Sequence, residues 1–323
     1  MRTRYERPPP VKDVAVIIPT MRRPAFLERA LKSVFAQRGV AHRLASIVVV
    51  ANDPQGSAAS LCGRLTADSP VPLVYRHEPR PGVSTARNAG LAATISPLIA
   101  FLDDDEAATP HWLDRLIRAR ETLDCDVVFG PIHGRAPAST GWTRRYLEVF
   151  FGRQGPAKTQ LLDHAYGCGN SLMLRATALP GDAPFDPKTD ASGGEDDALF
   201  SALAMRGGTF GWACDAWVDE FAPAHRATLN YALTRAFAYG QSPPQLAWRE
   251  GKRLRMLLWM AIGAAQAGVW GMAALALTLI NSDRRADALD KAARGLGKVF
   301  WTRGFEPHFY GVRELERLNK AAG

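Results

Sequence analysis

The sequence predicts an α/β fold with a mostly parallel sheet, and three observations carry that reading. Apolar runs of strand length alternate with stretches of helical periodicity from Val14 to Phe129. Turn chemistry punctuates them, at Asn52-Asp53-Pro54 and Arg80-Pro81-Gly82. One strand, Leu98 to Leu102, delivers four acidic residues, Asp103-Asp104-Asp105-Glu106, at its carboxyl end. In open α/β sheets that edge is where ligands bind.

The elements follow in order. Val14 to Ile18 reads as a buried strand ended by Pro19, and Pro24 starts a helix whose Phe26, Leu27, Ala30, Leu31, Val34 and Phe35 keep the 3.6 period. Ile47 to Val50 is the second strand, followed by a turn and a short helix through Leu61 and Leu65. Val71 to Tyr75 is the third strand, with a helix near Ser84 to Ala93. Leu98 to Leu102 is the fourth; Thr109 and Pro110 then look like the cap and first turn of a helix running to Thr122. Cys125 to Phe129 is the fifth strand. Strands and helices of these lengths build right-handed βαβ units. After Gly130 the rhythm changes. Pro131 to Pro156 is irregular, Gly167 to Ser171 leads into the apolar Leu172-Met173-Leu174, and Asp190 to Asp197 reads as a flexible acidic loop that enters a helix, Ala198 to Met205.

Composition narrows the class. At 323 residues, 47% hydrophobic and 22% charged, the chain can bury a full core and is not wholly disordered. Cys62, Cys125, Cys168 and Cys214 form no CxxC pair, so neither a zinc site nor a disulfide framework is implied, and a reducing compartment fits. The basic, proline-rich Met1 to Pro10 has no apolar core, and the catalytic part is expected in the cytoplasm. Of the net charge of +8, +6 lies between Arg249 and Gly323, so nucleic acid is not the expected partner of the main body.

Met256 to Ile280 is an uncharged run of 25 residues, flanked by Lys252, Arg253 and Arg255 on one side and Arg284 and Arg285 on the other. A spanning helix needs about 20 apolar residues, so the length suffices. Gly263, Gly268 and Gly271 weaken a straight helix; the run could span, re-enter, or pack as a core helix pair. Beyond it, Ala286, Leu289, Ala293, Leu296 and Phe300 line one stripe, with Arg285, Lys291, Arg294 and Lys298 mainly off it. This reads as a basic amphipathic helix on an anionic membrane, or as a helix packed on the domain with a solvated basic face.

The acidic strand end asks for a positive guest, and hard carboxylate oxygens suit Mg²⁺ or Mn²⁺ carrying a phosphate. The bland alternative is a solvated acidic turn. Thr20 and Asp53, beyond strands one and two, can hydrogen-bond a flat heterocycle, although each also fits ordinary turn chemistry. Arg87, on the helix before the acidic strand, can pair with an acidic residue or a phosphate.

Taken together, Val16-Ile17-Ile18-Pro19-Thr20, Val48 to Asp53, Gly82 to Gly90, Phe101 to Asp105 and Gly194 to Phe200 resemble the family-two glycosyltransferases. The resemblance covers about Val14 to Gly240 and implies the nucleotide-binding GT-A fold. It departs at Ala51, where relatives often carry Asp, and at Glu106, where many have Asp. By resemblance, Pro19, Thr20, Asp53, Arg87, Asp103 and Asp104 bind the nucleotide, and Asp105 holds the divalent metal (Mn²⁺ or Mg²⁺) on the donor diphosphate. Asp196 is the expected general base, with a helix N-cap as its plain alternative, and Glu195 the acceptor-orienting residue. His225 and Arg226 could clamp the diphosphate. The expected reaction moves one sugar, with inversion, from a nucleotide-sugar such as a UDP-sugar to a lipid-linked or glycan acceptor of the cell envelope. The layout looks closest to bacterial exopolysaccharide and glycolipid enzymes.

The expected domains are a GT-A domain over 1–245, with a donor half of about 11–130 and an acceptor half of 131–245, and a helical membrane-associating tail over 246–323. The expected location is the cytoplasmic face of the inner membrane. A dinucleotide-dependent oxidoreductase would want GxGxxG after the first strand, and Ile18-Pro19-Thr20-Met21-Arg22 has none. A nucleotidyltransferase would normally show a glycine-rich loop there. A non-catalytic sugar-binding protein would not need both the acidic strand end and Glu195-Asp196. The Gln-x-x-Arg-Trp sequence of processive synthases is absent, which favours single additions.

Overall fold

The computed structural model describes residues 12–190 and 193–307. Its chain divides into two units, one of residues 12–132 with Gln154–Asp219 and the other of His133–Arg153 with residues 220–307. The division departs from the boundary at 245 drawn from the sequence. Residues 133–153 and 220–245, placed by sequence with the acceptor half, cluster with the C-terminal helices instead.

In the first unit the strands are β1 (Val14–Thr20), β2 (Leu44–Ala51), β3 (Leu73–His77), β4 (Leu98–Phe101), β5 (Glu106–Ala108) and β6 (Val127–Phe129). Strand β7 (Ile132–Arg135) crosses into the second unit. The first unit continues with β8 (Gln160–Leu162), β9 (Ser171–Leu174) and β10 (Phe210–Trp212), and β11 (Val218–Phe221) crosses again. Helices α1 (Pro24–Phe35), α2 (Ala59–Leu65), α3 (Val83–Ala92) and α4 (Trp112–Leu123) alternate with the early strands. In the second unit lies α5 (Arg144–Phe151), and in the first α6 (Arg175–Ala178) and α7 (Glu195–Met205). The second unit closes with α8 (Leu229–Arg249), α9 (Arg253–Leu279) and α10 (Arg285–Val299).

Eight strands form one sheet in the order β3-β2-β1-β4-β9-β6-β10-β8. Strand β1 pairs in parallel with β2 and β4, β2 with β3, and β6 with β10; only β9 and β8 run against them. The expected mostly parallel sheet is present. Alternation along β1 supplies both faces: Val14, Val16 and Ile18 enter one core with α1, α2 and α4. Ala15 and Ile17 enter the other with α3 and α7. Two-sided burial is why these strands read as continuous apolar runs. The chain winds outward from β1 to β3 and returns to β4 on the other side of β1. That puts the switch point between β1 and β4, with Thr20 and Asp103 at its carboxyl edge.

Two sequence expectations are corrected. Thr109 does not cap α4; its hydroxyl donates to the Trp217 carbonyl at 2.9 Å, and the residue before the helix is His111. Glu106, the last acid of the turn, joins Ala107 and Ala108 as β5, which delays the helix by two positions. The loop Asp190 to Asp197 is partly structural, for the Asp190 carboxylate accepts from the Ser84 and Thr85 amides at 2.8 and 3.1 Å and caps α3. Ala191 and Ser192 lie outside the described residues.

For α10 the sequence left two readings open, a basic amphipathic helix on an anionic membrane and a helix packed on the domain, and its small residues pack against neighbouring helices. Its small residues Ala286, Ala288, Ala292, Gly295 and Gly297 are buried, while Leu296 and Phe300 of the predicted apolar stripe remain 45% and 44% exposed. A Cβ on Gly297 would meet the Phe237 carbonyl of α8 at 2.0 Å. One on Gly295 would meet the Ala267 amide of α9 at 2.6 Å. Helix α10 is thus wedged between α8 and α9, at distances that only glycine permits. Helix α8 contains Pro243 and Pro244, which conceal it from sequence inspection.

Candidate active site

The site gathers at the carboxyl ends of β1 and β4, all within the first unit. Strand β1 ends at Pro19, registered with Val50 of β2, and at Thr20. The Thr20 hydroxyl donates to Asp104 Oδ2 at 2.7 Å, tying the two strand ends across the switch point. Arg22 takes the left-handed conformation, φ 55°, at a cost of about 1 kcal/mol or more for a residue with a side chain. The turn it makes sends two consecutive arginines to different loops. Arg22 Nε lies 3.8 Å from Asp53 Oδ1. Arg23 Nη1 bridges Asp104 Oδ1 at 3.1 Å and Asp105 Oδ2 at 3.0 Å.

The acidic turn is internally braced. The Glu106 carboxylate is buried and accepts from the Asp103 amide at 2.9 Å, while the Glu106 amide donates back to the Asp103 carbonyl at 3.1 Å. This reciprocal clasp accounts for the acid at 106 in chemical terms. It leaves the Asp103 side chain 42% exposed, with Oδ1 at 3.6 Å from Arg87 Nη2. A Cβ on Gly169 would come within 2.6 Å of Asp103 Oδ2, so the glycine leaves that carboxylate its place. Asn170, next to it, is left-handed at φ 49° and buried; it accepts from Trp112 Nε1 at 2.7 Å and donates to the Pro131 and Ala216 carbonyls.

Arg87 joins the two acidic motifs. Projecting from α3, it is 4% exposed, pairs with Glu195 at the start of α7, faces Asp103, and has Phe101 and Phe185 rings 5.9 and 5.5 Å away. Burial works to lower its pKa, but the carboxylates of Glu195, Asp103 and Asp196 raise it, so the guanidinium stays charged. Glu195 is pushed the other way. Burial raises its pKa, Arg87 pulls it down, and neighbouring Asp196 raises it again, with a net rise. Its carboxyl is turned inward to Arg87.

Asp196 is half-buried in the first turn of α7, reached through Gly193 and Gly194 in left-handed conformation, φ 78° and 86°. Its Oδ2 accepts from the Cys168 amide at 3.2 Å and its Oδ1 from the Asp197 amide at 2.9 Å. The amides fix the carboxylate while leaving it open lone pairs, as a base requires.

Asp53 is fully buried and occupied by its turn, accepting from the Gln55 amide, the Ser57 amide and the Ser57 hydroxyl at 2.8 Å. Beside it, Asn52, which sequence reasoning passed over, accepts from Gly82 at 2.7 Å and donates to the Arg80 carbonyl at 2.6 Å, joining the β2 and β3 loops. Arg23 and Asp190 were missed as well. The signal for Arg23 was a basic pair immediately after a strand end; Asp190 gave none that distinguished it from its acidic neighbours. His225 and Arg226 lie in the second unit, where the Arg226 guanidinium stands 6.0 Å from the Tyr231 ring.

Among the described residues no group of three or more His, Cys, Asp or Glu could hold a metal ion by itself. A single hard carboxylate such as Asp105 is the kind of donor that suits a cation taking most of its ligands from phosphate and water, as Mg²⁺ does with one or two carboxylates. Arg23 meanwhile offsets the charge of Asp104 and Asp105.

A parallel sheet with an acidic turn at its switch point, and a second carboxylate pair brought to it by a buried arginine, is the framework of a GT-A glycosyltransferase domain. Comparison with known proteins agrees. The profile of glycosyl transferase family 2 matches residues 15–179. The succinoglycan biosynthesis protein ExoM of Rhizobium meliloti is 30% identical over 92% of this chain and 95% of its own length. The pre-mycofactocin glycosyltransferase of Mycobacterium tuberculosis is 26% identical over 87% of this chain and 59% of its own. A crystal structure of S. aureus TarS residues 1–349 in complex with UDP superposes with a TM-score of 0.52 at 15% identity, covering 92% of this chain and 98% of that one. The chain belongs to glycosyl transferase family 2.

Proposed function

We propose that the enzyme moves one sugar, with inversion, from a UDP-sugar to a hydroxyl of a lipid-linked or glycan acceptor in exopolysaccharide-type synthesis at a membrane surface. The observation that carries the reading is Arg87, whose pairs with Asp103 and Glu195 gather residues 92 positions apart at one strand edge. Support for the pathway class comes from the similarity to ExoM, whose name places it in succinoglycan biosynthesis. Support for UDP comes from the fold neighbour solved with that nucleotide.

In this reading Asp103 faces the ribose and Asp105 holds a divalent cation, which would offset the charge developing on the departing diphosphate. Thr20 and Arg23 hold Asp104 and Asp105 in place, and Asp53, bound up in its own turn, shapes the loop on the base side of the nucleotide. Asp196 accepts the proton of the acceptor hydroxyl as its oxygen attacks the anomeric carbon. The bond to the diphosphate breaks on the opposite face, and its electron pair leaves with the nucleoside diphosphate. Glu195 and Arg87 set where Asp196 stands.

A screen of nucleotide sugars for hydrolysis and transfer, with and without Mn²⁺, tests the donor. An α-linked UDP-sugar should give a β-linked product, read from the anomeric proton coupling; an α-linked product overturns the single displacement at Asp196.

A further inference from the structure

Resting on the membrane reading above, we infer that α9 lies in the plane of the bilayer, its outer face sunk to the headgroup–hydrocarbon boundary of an anionic leaflet, and does not span it. The helix is inverted relative to a water-soluble one. Leu254, Leu258, Met272, Leu275 and Leu279 are each 60–84% exposed, and only Met256, Gly263 and Ala274 are buried. The polar groups of its middle turn inward or bond to themselves. Gln266 donates to the Lys291 carbonyl at 2.8 Å and accepts from Lys298 at 2.7 Å, and the Thr278 hydroxyl returns to the Ala274 carbonyl. Water would favour the reverse arrangement; lipid favours this one.

Spanning is excluded by what is packed alongside. Helix α10 runs antiparallel to α9: Trp301 reaches Met260, Gly295 touches Gly263 and Ala267, and Lys291 stands 3.8 Å over the Trp270 ring. A spanning α9 would carry into hydrocarbon Arg285, Asp287, Asp290, Lys291, Arg294 and Lys298, all on α10. Such charges are expensive at the bilayer centre. Trp259 and Trp270 give the same answer. They lie 11 residues, about 16 Å, apart along the helix, too close to sit at opposite interfaces about 30 Å apart.

Charge chooses lipid over a second copy of the chain. Lys252, Arg253 and Arg255 precede the apolar face and Arg284 and Arg285 follow it; Glu250 and Asp283 offset only part of this. Both ends are net positive, so pairing two α9 faces in either direction brings like charges together. An anionic headgroup layer complements both ends at once.

The test uses the full-length protein with Cys214→Ser and single cysteines at Leu258, Val269 or Leu279, each labelled with a bimane probe. Flotation with vesicles of phosphatidylcholine and phosphatidylglycerol is followed by quenching from lipids spin-labelled at shallow or deep positions. All three probes should report one shallow depth, about 5–10 Å below the headgroups. Val269→Glu with Met272→Glu should reduce vesicle binding at least tenfold and leave donor hydrolysis unchanged. A Val269 probe at the bilayer centre, with the other two near opposite interfaces, overturns the in-plane placement but keeps the membrane reading. Failure to float, with self-association in solution, overturns both.

Discussion

Replacing Arg87 by Met keeps the unbranched apolar stem of the side chain and removes the charged guanidinium on which the site is assembled. Arg87 is 4% and Glu195 6% exposed, so the variant leaves a carboxylate that water cannot reach. Asp103, 42% exposed, can resolvate; Glu195 cannot. Removing one partner of a buried pair costs about 3–5 kcal/mol. The penalty should depend on pH, and its sign follows from Glu195. Burial already holds its pKa above the ordinary 4.5, and loss of Arg87 raises it further. An acid with a raised pKa in the fold contributes stability that is fully present below its unfolded value and is lost as pH rises through the folded one. The loss in Arg87→Met should therefore be full at pH 8 and shrink toward pH 5. Adding Glu195→Gln should restore at least half of it at pH 8, because the amide carries no charge. The assay is urea unfolding read by hydrogen exchange of β1 and β4 peptides, so that the second unit does not mix into the transition. A loss below about 1 kcal/mol, a loss independent of pH, or a double variant no better than the single one refutes the pairing as the support of the site.

Asp196→Asn should bind UDP as the parent does and lose about 10²-fold or more of transfer, as expected for a general base; near-normal turnover moves the role to another residue. Asp105→Ala should fold normally and lose donor-dependent turnover, and chelation should abolish transfer of the parent until Mn²⁺ or Mg²⁺ is restored; full activity in EDTA removes the metal from the reaction. Asp190→Ala should destabilise the first unit by about 1 kcal/mol through loss of the α3 cap. Exchange of the amides at Ser84 and Thr85 should report it locally, and unchanged protection there would remove Asp190 from that role.

The sequence by itself determined the parallel half of the sheet and the class of enzyme. Strands buried on both faces must be continuously apolar, so β1, β2 and β4 announce themselves, and short-range motifs such as Asp103-Asp104-Asp105 carry their chemistry in the chain order. The tertiary structure decided what depends on distant partners. Strand β9 is four residues long and antiparallel, and its place between β4 and β6 comes from long-range pairing that no local periodicity encodes. Arg23, Asn52 and Asp190 have ordinary neighbours in sequence; their roles appear only when loops 28 to 106 residues apart meet. The position of α10 was hidden for the same reason. A period of larger apolar residues is visible along the chain, whereas backbone contact at Gly295 and Gly297 is set by the helices on either side.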